Sequence, residues 1–177
     1  MSGAAEPAWD ILDPRGLGVL LASSRGPAIL AEYLEYRRLI EVVAAGLAAE
    51  HATADDLAIL CDALAEMTAA ADLGAEERFH RADVAFHRAL LAAGHNRALE
   101  LATEPLQAAL CTARRPLARP DLRQERGLPE HQRILAAVAQ GDPDAAREAM
   151  EDHLDTVEAH LREYAGLART TARRDDR

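Results

Sequence analysis

The sequence has no lysine, six aromatic residues, three serines and two cysteines among 177 residues, and no apolar run longer than the eight residues Val42 to Ala49. A membrane-spanning helix needs roughly 18 or more apolar residues in succession, so none is expected. The serines stand at positions 2, 23 and 24, which argues against a serine nucleophile in the body of the chain. Cys61 and Cys111 are too few for a disulfide framework. Each lies among small apolar residues in a helix-like pattern, which predicts buried, reduced thiols. The N-terminus lacks the basic start and apolar core of a signal peptide, so a cytoplasmic location is expected. With 20 arginines against 30 acids, the net charge is -10, and the basic patch of a self-sufficient nucleic-acid binder is missing. There is no phosphate-binding glycine loop, no Gly-x-Ser-x-Gly elbow and no His-Glu-x-x-His. Strand signals are missing too, because Val, Ile, Thr and aromatics are sparse and never alternate with period two.

What is present is helical periodicity. Apolar residues make up 49% of the chain and 40 residues are alanine, which excludes a disordered polymer. Residues 1–26 read as a connector, with Asp13-Pro14 opening a short helix over Pro14–Ala22. A long helix follows from about Pro27 to His51, with a stripe of Ile29, Tyr33, Tyr36, Ile40, Val43, Ala44 and Leu47. Thr53 caps a second helix over Ala54–Asp72, closed by Gly74. The third covers Ala75–Ala93 and stops at Gly94. Asn96 caps a fourth, bent at Pro105 and reaching about Arg115, and 116–128 is a loop. The fifth is Pro129–Gln140, ended by Gly141. Asp142-Pro143 opens the sixth, which runs to about Arg169, and 170–177 is a flexible tail. The expectation is one all-α domain over 27–169, an antiparallel bundle of six to seven helices.

In such a bundle the informative residues are polar ones at core positions. The third helix carries the stripe Phe79, Asp83, Phe86, His87, Leu90; the fifth has His131, Ile134, Leu135, Val138; the sixth has Ala146, Met150, His153, Leu154, Val157, Leu161. Asp83 and His87 are four apart and share a face. His131 lies ten residues before Gly141 and His153 twelve after it. At about 1.5 Å per residue, both stand roughly 15–18 Å from the turn and meet at one level of an antiparallel hairpin. Three imidazoles and a carboxylate suit a divalent transition metal, with zinc first and nickel or manganese as alternatives. Four separately hydrogen-bonded core residues would produce the same pattern.

Arg37 also falls on a core stripe, between Tyr33 and Ile40. A buried guanidinium must be paired, either with an internal acid or with the carboxylate of a bound guest, which it can grip with two prongs. The other histidines fit the metal set poorly. His80 and His160 each stand seven residues from a proposed ligand, about 10 Å along the helix, while His51 and His95 sit at helix ends. One Glu-x-x-His, Glu77 to His80, falls short of the two that a di-iron bundle requires.

These segments resemble a known family. Glu35-Tyr36-Arg37-Arg38-Leu39-Ile40-Glu41 with Ala48-Ala49-Glu50 resembles the opening helix of the FadR C-terminal (FCD) domain, the effector-binding domain of GntR-type transcription regulators. Asp83-Val84-Ala85-Phe86-His87 followed by Ala93-Gly94-His95-Asn96 is similar to that family's middle segment. Glu130-His131-x-x-Ile134-Leu135, then Gly141-Asp142, Ala145-Ala146, Met150 and His153-Leu154, is similar to its closing one. Trp9 to Pro14 resembles the connector of a subset that responds to sugar acids or lactate. The likeness spans about residues 9–165. It implies metal ligation by Asp83, His87, His131 and His153, with a small organic acid completing the coordination and contacting Arg37. Asn96 matches a position near the pocket, although helix capping explains it equally well. A homodimer is also implied. The family places a winged helix-turn-helix ahead of this domain, whereas Met1 here stands almost at the connector, so direct DNA binding is not expected of this chain. A metal-dependent hydrolase-like enzyme and a ligand-free dimerising partner are the rival readings.

Overall fold

The computed structural model describes residue 23 and residues 26–101, 103 and 127–175, with side chains described as far as residue 160. The predicted short helix over Pro14–Ala22, the bend at Pro105, Cys111 and the loop over 116–126 lie outside the described residues. Five helices follow in order: α1 Gly26–His51, α2 Ala54–Asp72, α3 Glu76–Ala93, α4 Leu128–Gln140 and α5 Pro143–Asp175. A further helical stretch begins at 97 and is described to 101. No strand occurs among the described residues, and the domain is all-α.

Local chemistry sets the helix ends. Thr53 caps α2 through a capping box, in which its hydroxyl oxygen accepts from the Asp56 N–H while the Asp56 carboxylate accepts from the Thr53 N–H. Asp142 opens α5 by accepting from the Ala145 N–H at 3.0 Å. Gly141 closes α4 in the left-handed region at φ 66°, a conformation that favours glycine. It turns the chain back on itself, so that α4 and α5 form the antiparallel hairpin on which the register argument depends. The C-terminus differs from expectation. Helix α5 continues to Asp175 rather than ending near Arg169, because nothing after Gly166 is a glycine or proline that would stop it.

Helix α1 packs on α5, α2 on α3 and α4 on α5, while α1 also meets α3 and α4. The scarcity of aromatics leaves a core built from alanines and a few large side chains. Ala45, Ala48, Ala70, Ala93 and Ala146 are fully buried beside Leu60, Met67, Phe86, Ile134 and Met150. Small residues let the helix axes approach closely, and this offsets the lack of bulk.

Two side-chain expectations are corrected. Cys61 is exposed, not buried. The inward face of α2 is Leu60, Ala63, Met67, Ala70, and one residue further on is a rotation of about 100°. On α1 the buried stripe is Ile29, Tyr33, Arg37, Glu41, Ala44, Ala45, Ala48. Val43, placed inside by the apolar pattern, is exposed, and Tyr36, Ile40 and Leu47 are half-buried. An acid takes the core position because an arginine one turn away neutralises it.

Candidate metal centre

The centre lies where α1, α3, α4 and α5 meet. His87 comes from α3, His131 from the first turn of α4 and His153 from α5, and all three are buried. Each offers a ligating nitrogen within 4.8 Å of the other two. Nε2 of His87 and Nε2 of His131 face one another at 3.3 Å. Asp83, one turn before His87, brings Oδ1 to 3.2 Å from His131 Nε2 and 3.7 Å from His87 Nε2. Its side chain is 14% exposed, so it is the most open part of the cluster. Phe86 stands edge-on to His131, with ring centres 5.0 Å apart, and supplies an apolar wall.

Two of the opposite ring nitrogens are hydrogen-bonded outward, and the third lies at ion-pair distance from a carboxylate. His131 Nδ1 donates to the Gly127 carbonyl at 2.6 Å. His153 Nδ1 donates to Glu130 Oε2 at 3.0 Å, and His87 Nδ1 lies 3.1 Å from Glu41 Oε2. A carbonyl can only accept, so His131 must carry its proton on Nδ1 and present a lone pair at Nε2. Burial, reinforced by His131, His87 and Arg37, holds the His153 pKa well below the usual imidazole value despite the opposing Asp83. A neutral imidazole is the form that ligates metals.

These residues fit a divalent metal. Nε2 of His87 and Nε2 of His131, 3.3 Å apart, are close enough to share either a proton or a metal ion. Two nitrogens bound at about 2.0–2.1 Å to one tetrahedral zinc would stand roughly 3.3–3.4 Å apart.

The remaining predicted site residues fall elsewhere. Arg37 is buried beside the cluster but paired with Glu41, its Nε donating to Oε1 and its Nη2 to Oε2, both at 2.8 Å. This is the internal-acid pairing that the sequence left open. Burial works to raise the Glu41 pKa, but Arg37 and then His87 override it and hold the carboxyl well below its ordinary value. Asn96 is exposed, and its Oδ1 accepts from the Leu99 N–H at 3.1 Å, which is the capping role. His51 and His95 are exposed at helix ends, and His80 and His160 are half-buried outside the three-histidine group. Sequence reasoning missed Glu41 and Glu130. The signals available were an acid four residues after Arg37, and an acid directly before His131.

Comparison with known proteins agrees with this architecture. The family model for the FCD domain matches residues 32–156. The chain is 33% identical over 144 residues to the galactonate operon transcriptional repressor of Escherichia coli K12, covering 80% of this chain and 61% of that protein. It is 37% identical over 138 residues to the HTH-type transcriptional regulator LutR of Bacillus subtilis, covering 75% of this chain and 62% of that one. Among solved structures, Streptococcus agalactiae GntR superposes with a TM-score of 0.66 at 25% identity, over 80% of this chain and 63% of the other. The chain belongs to the FCD-domain family, the effector domains of GntR-type transcriptional regulators. That family is regulatory, and these relatives are transcriptional repressors and regulators rather than enzymes. The chain spans about three-fifths of the length of each. No helix among the described residues is long and apolar enough to cross a membrane.

Proposed function

We propose that this domain senses a small organic acid at a divalent metal held by Asp83, His87, His131 and His153. The observation that carries the reading is the convergence of three buried imidazoles, two of them with Nε2 atoms 3.3 Å apart, beside a carboxylate. Zinc is the first choice for this donor set, and nickel and manganese are the alternatives. When bound, the metal supplies a Lewis-acid centre that a carboxylate or hydroxy acid can ligate. Asp83 and the histidines hold the cation. Arg37 lies beside His153 with Nε and Nη2 holding Glu41, so a guest carboxylate would have to meet the rest of its guanidinium or compete with Glu41 for it. Asn96 is better explained as a helix cap than as a guest contact. The sugar-acid and lactate flavour of the connector fits a relative named for a galactonate operon. In a complete regulator, which we expect to be a cytoplasmic homodimer, guest binding would shift helix packing and thereby the geometry of paired DNA-reading modules.

The test is metal analysis after chelation and reloading. One equivalent of zinc, nickel or manganese per chain is expected, and replacing both His131 and His153 with Ala should abolish it. Thermal-shift measurements on the loaded protein with hydroxy acids, dicarboxylates and sugar acids should then show stabilisation without turnover. Absence of a stoichiometric metal in the wild type, or unchanged metal content in the double variant, refutes the proposal.

A further inference from the structure

We propose that Glu41 and Glu130 are positioning residues that turn Nδ1 of His87 and His153 outward, so that three Nε2 lone pairs converge next to Asp83. The inference rests on the metal reading above and assigns these two acids a role within it.

Each acid meets its histidine on the side away from the cluster. Glu41 on α1 places Oε2 3.1 Å from Nδ1 of His87 on α3, an ion-pair contact that a small turn of the ring would make a hydrogen bond. Glu130 on α4 places Oε2 3.0 Å from Nδ1 of His153 on α5. His131 completes the set through the Gly127 carbonyl at 2.6 Å. An acceptor at Nδ1 selects the tautomer with the proton there and leaves Nε2 basic, and such outer partners typically alter metal affinity 10- to 100-fold.

The same contacts keep the two acids in the outer position. Both Glu41 oxygens accept from Arg37 at 2.8 Å. Glu130 Oε1 accepts from the Thr156 hydroxyl at 2.7 Å while Oε2 faces His153. A two-pronged guanidinium identifies Glu41 as an ionised, accepting carboxylate on geometric grounds. Arg37 therefore reaches the centre through Glu41, and the orientation of a histidine on α3 depends on a pair carried by α1.

Imidazole nitrogen-15 spectra of the metal-free wild type should show His87, His131 and His153 each protonated at Nδ1. Glu130→Gln and Glu41→Gln keep the shape of the side chain while removing its charge. Each should weaken zinc binding 10- to 100-fold in competition with a chromophoric chelator, with a shifted cobalt(II) visible spectrum and unchanged helical circular dichroism. Protonation at Nε2 of His87 or His153 in the wild type overturns the inference. So does zinc affinity within about twofold of wild type in both folded variants. The tautomer reading needs neither a variant nor a bound metal. Correct tautomers without one equivalent of zinc, nickel or manganese would therefore sink the metal reading while leaving the orientation of the histidines established.

Discussion

The Arg37–Glu41 pair gives the sharpest energetic prediction. Both side chains are nearly excluded from water, at 2% and 5% exposure, and two hydrogen bonds of 2.8 Å join them. Replacing Arg37 with Met removes one charge and leaves the other buried. Breaking a buried pair in this way costs about 3–5 kcal/mol, against a total stability of roughly 5–15 kcal/mol for a domain. Glu41→Met should cost a similar amount, because it strands the guanidinium and also removes the partner of His87 Nδ1. The double variant Arg37→Met/Glu41→Met buries neither charge and should be little worse than either single one, giving a coupling of about 3 kcal/mol or more. Guanidinium unfolding should be run in chelator, so that bound metal does not add its own stabilisation. A loss below about 1 kcal/mol for Arg37→Met, or simple additivity of the two losses, would refute the view that this pair is a desolvated unit.

Two further outcomes test the helix ends. Gly141 sits at φ 66° with no atom closer than 3.7 Å to where a Cβ would stand, so Gly141→Ala should cost about 1–2 kcal/mol of backbone strain and Gly141→Asn less; equal stability of all three in denaturant titrations would contradict this. At α2, hydrogen bonds from Thr53, then its contact with His95, lower the Asp56 pKa. A lowered folded-state pKa means stability that is present above the unfolded aspartate value, about 3.9, and is lost as pH falls through the folded value. Thr53→Ala should therefore cost about 1 kcal/mol at neutral pH and progressively less in that acid range, and a cost independent of pH would sink the capping-box account.

Much of the candidate metal centre was legible because helical spacing is a strong geometric constraint. Asp83 and His87 share a face by their separation alone, and the αL glycine at 141 makes the His131 and His153 levels countable along the chain. Glu41 and Glu130 were not legible in the same way. A charged residue beside an apolar stripe ordinarily faces water, and only its partner reveals otherwise. For Glu41 that partner, Arg37, was visible at four residues' distance, yet the apolar pattern favoured Ile40 and Val43 instead. For Glu130 the partners His153 and Thr156 lie 23 and 26 residues away on another helix. Cys61 failed for the related reason that a small apolar neighbourhood does not say which side of a helix is covered.

The sequence by itself determined the helices, most of their ends and the residues capable of holding a metal, because caps, glycine stops and 3.6-residue periodicity act over a few residues. Only the tertiary structure decided how α1 is rotated against the bundle. That rotation brought Arg37 and Glu41 inward, left Val43 outside and set an acid behind His87. Such a choice depends on pairing charges and packing alanines across separate helices, which no local pattern along one helix encodes.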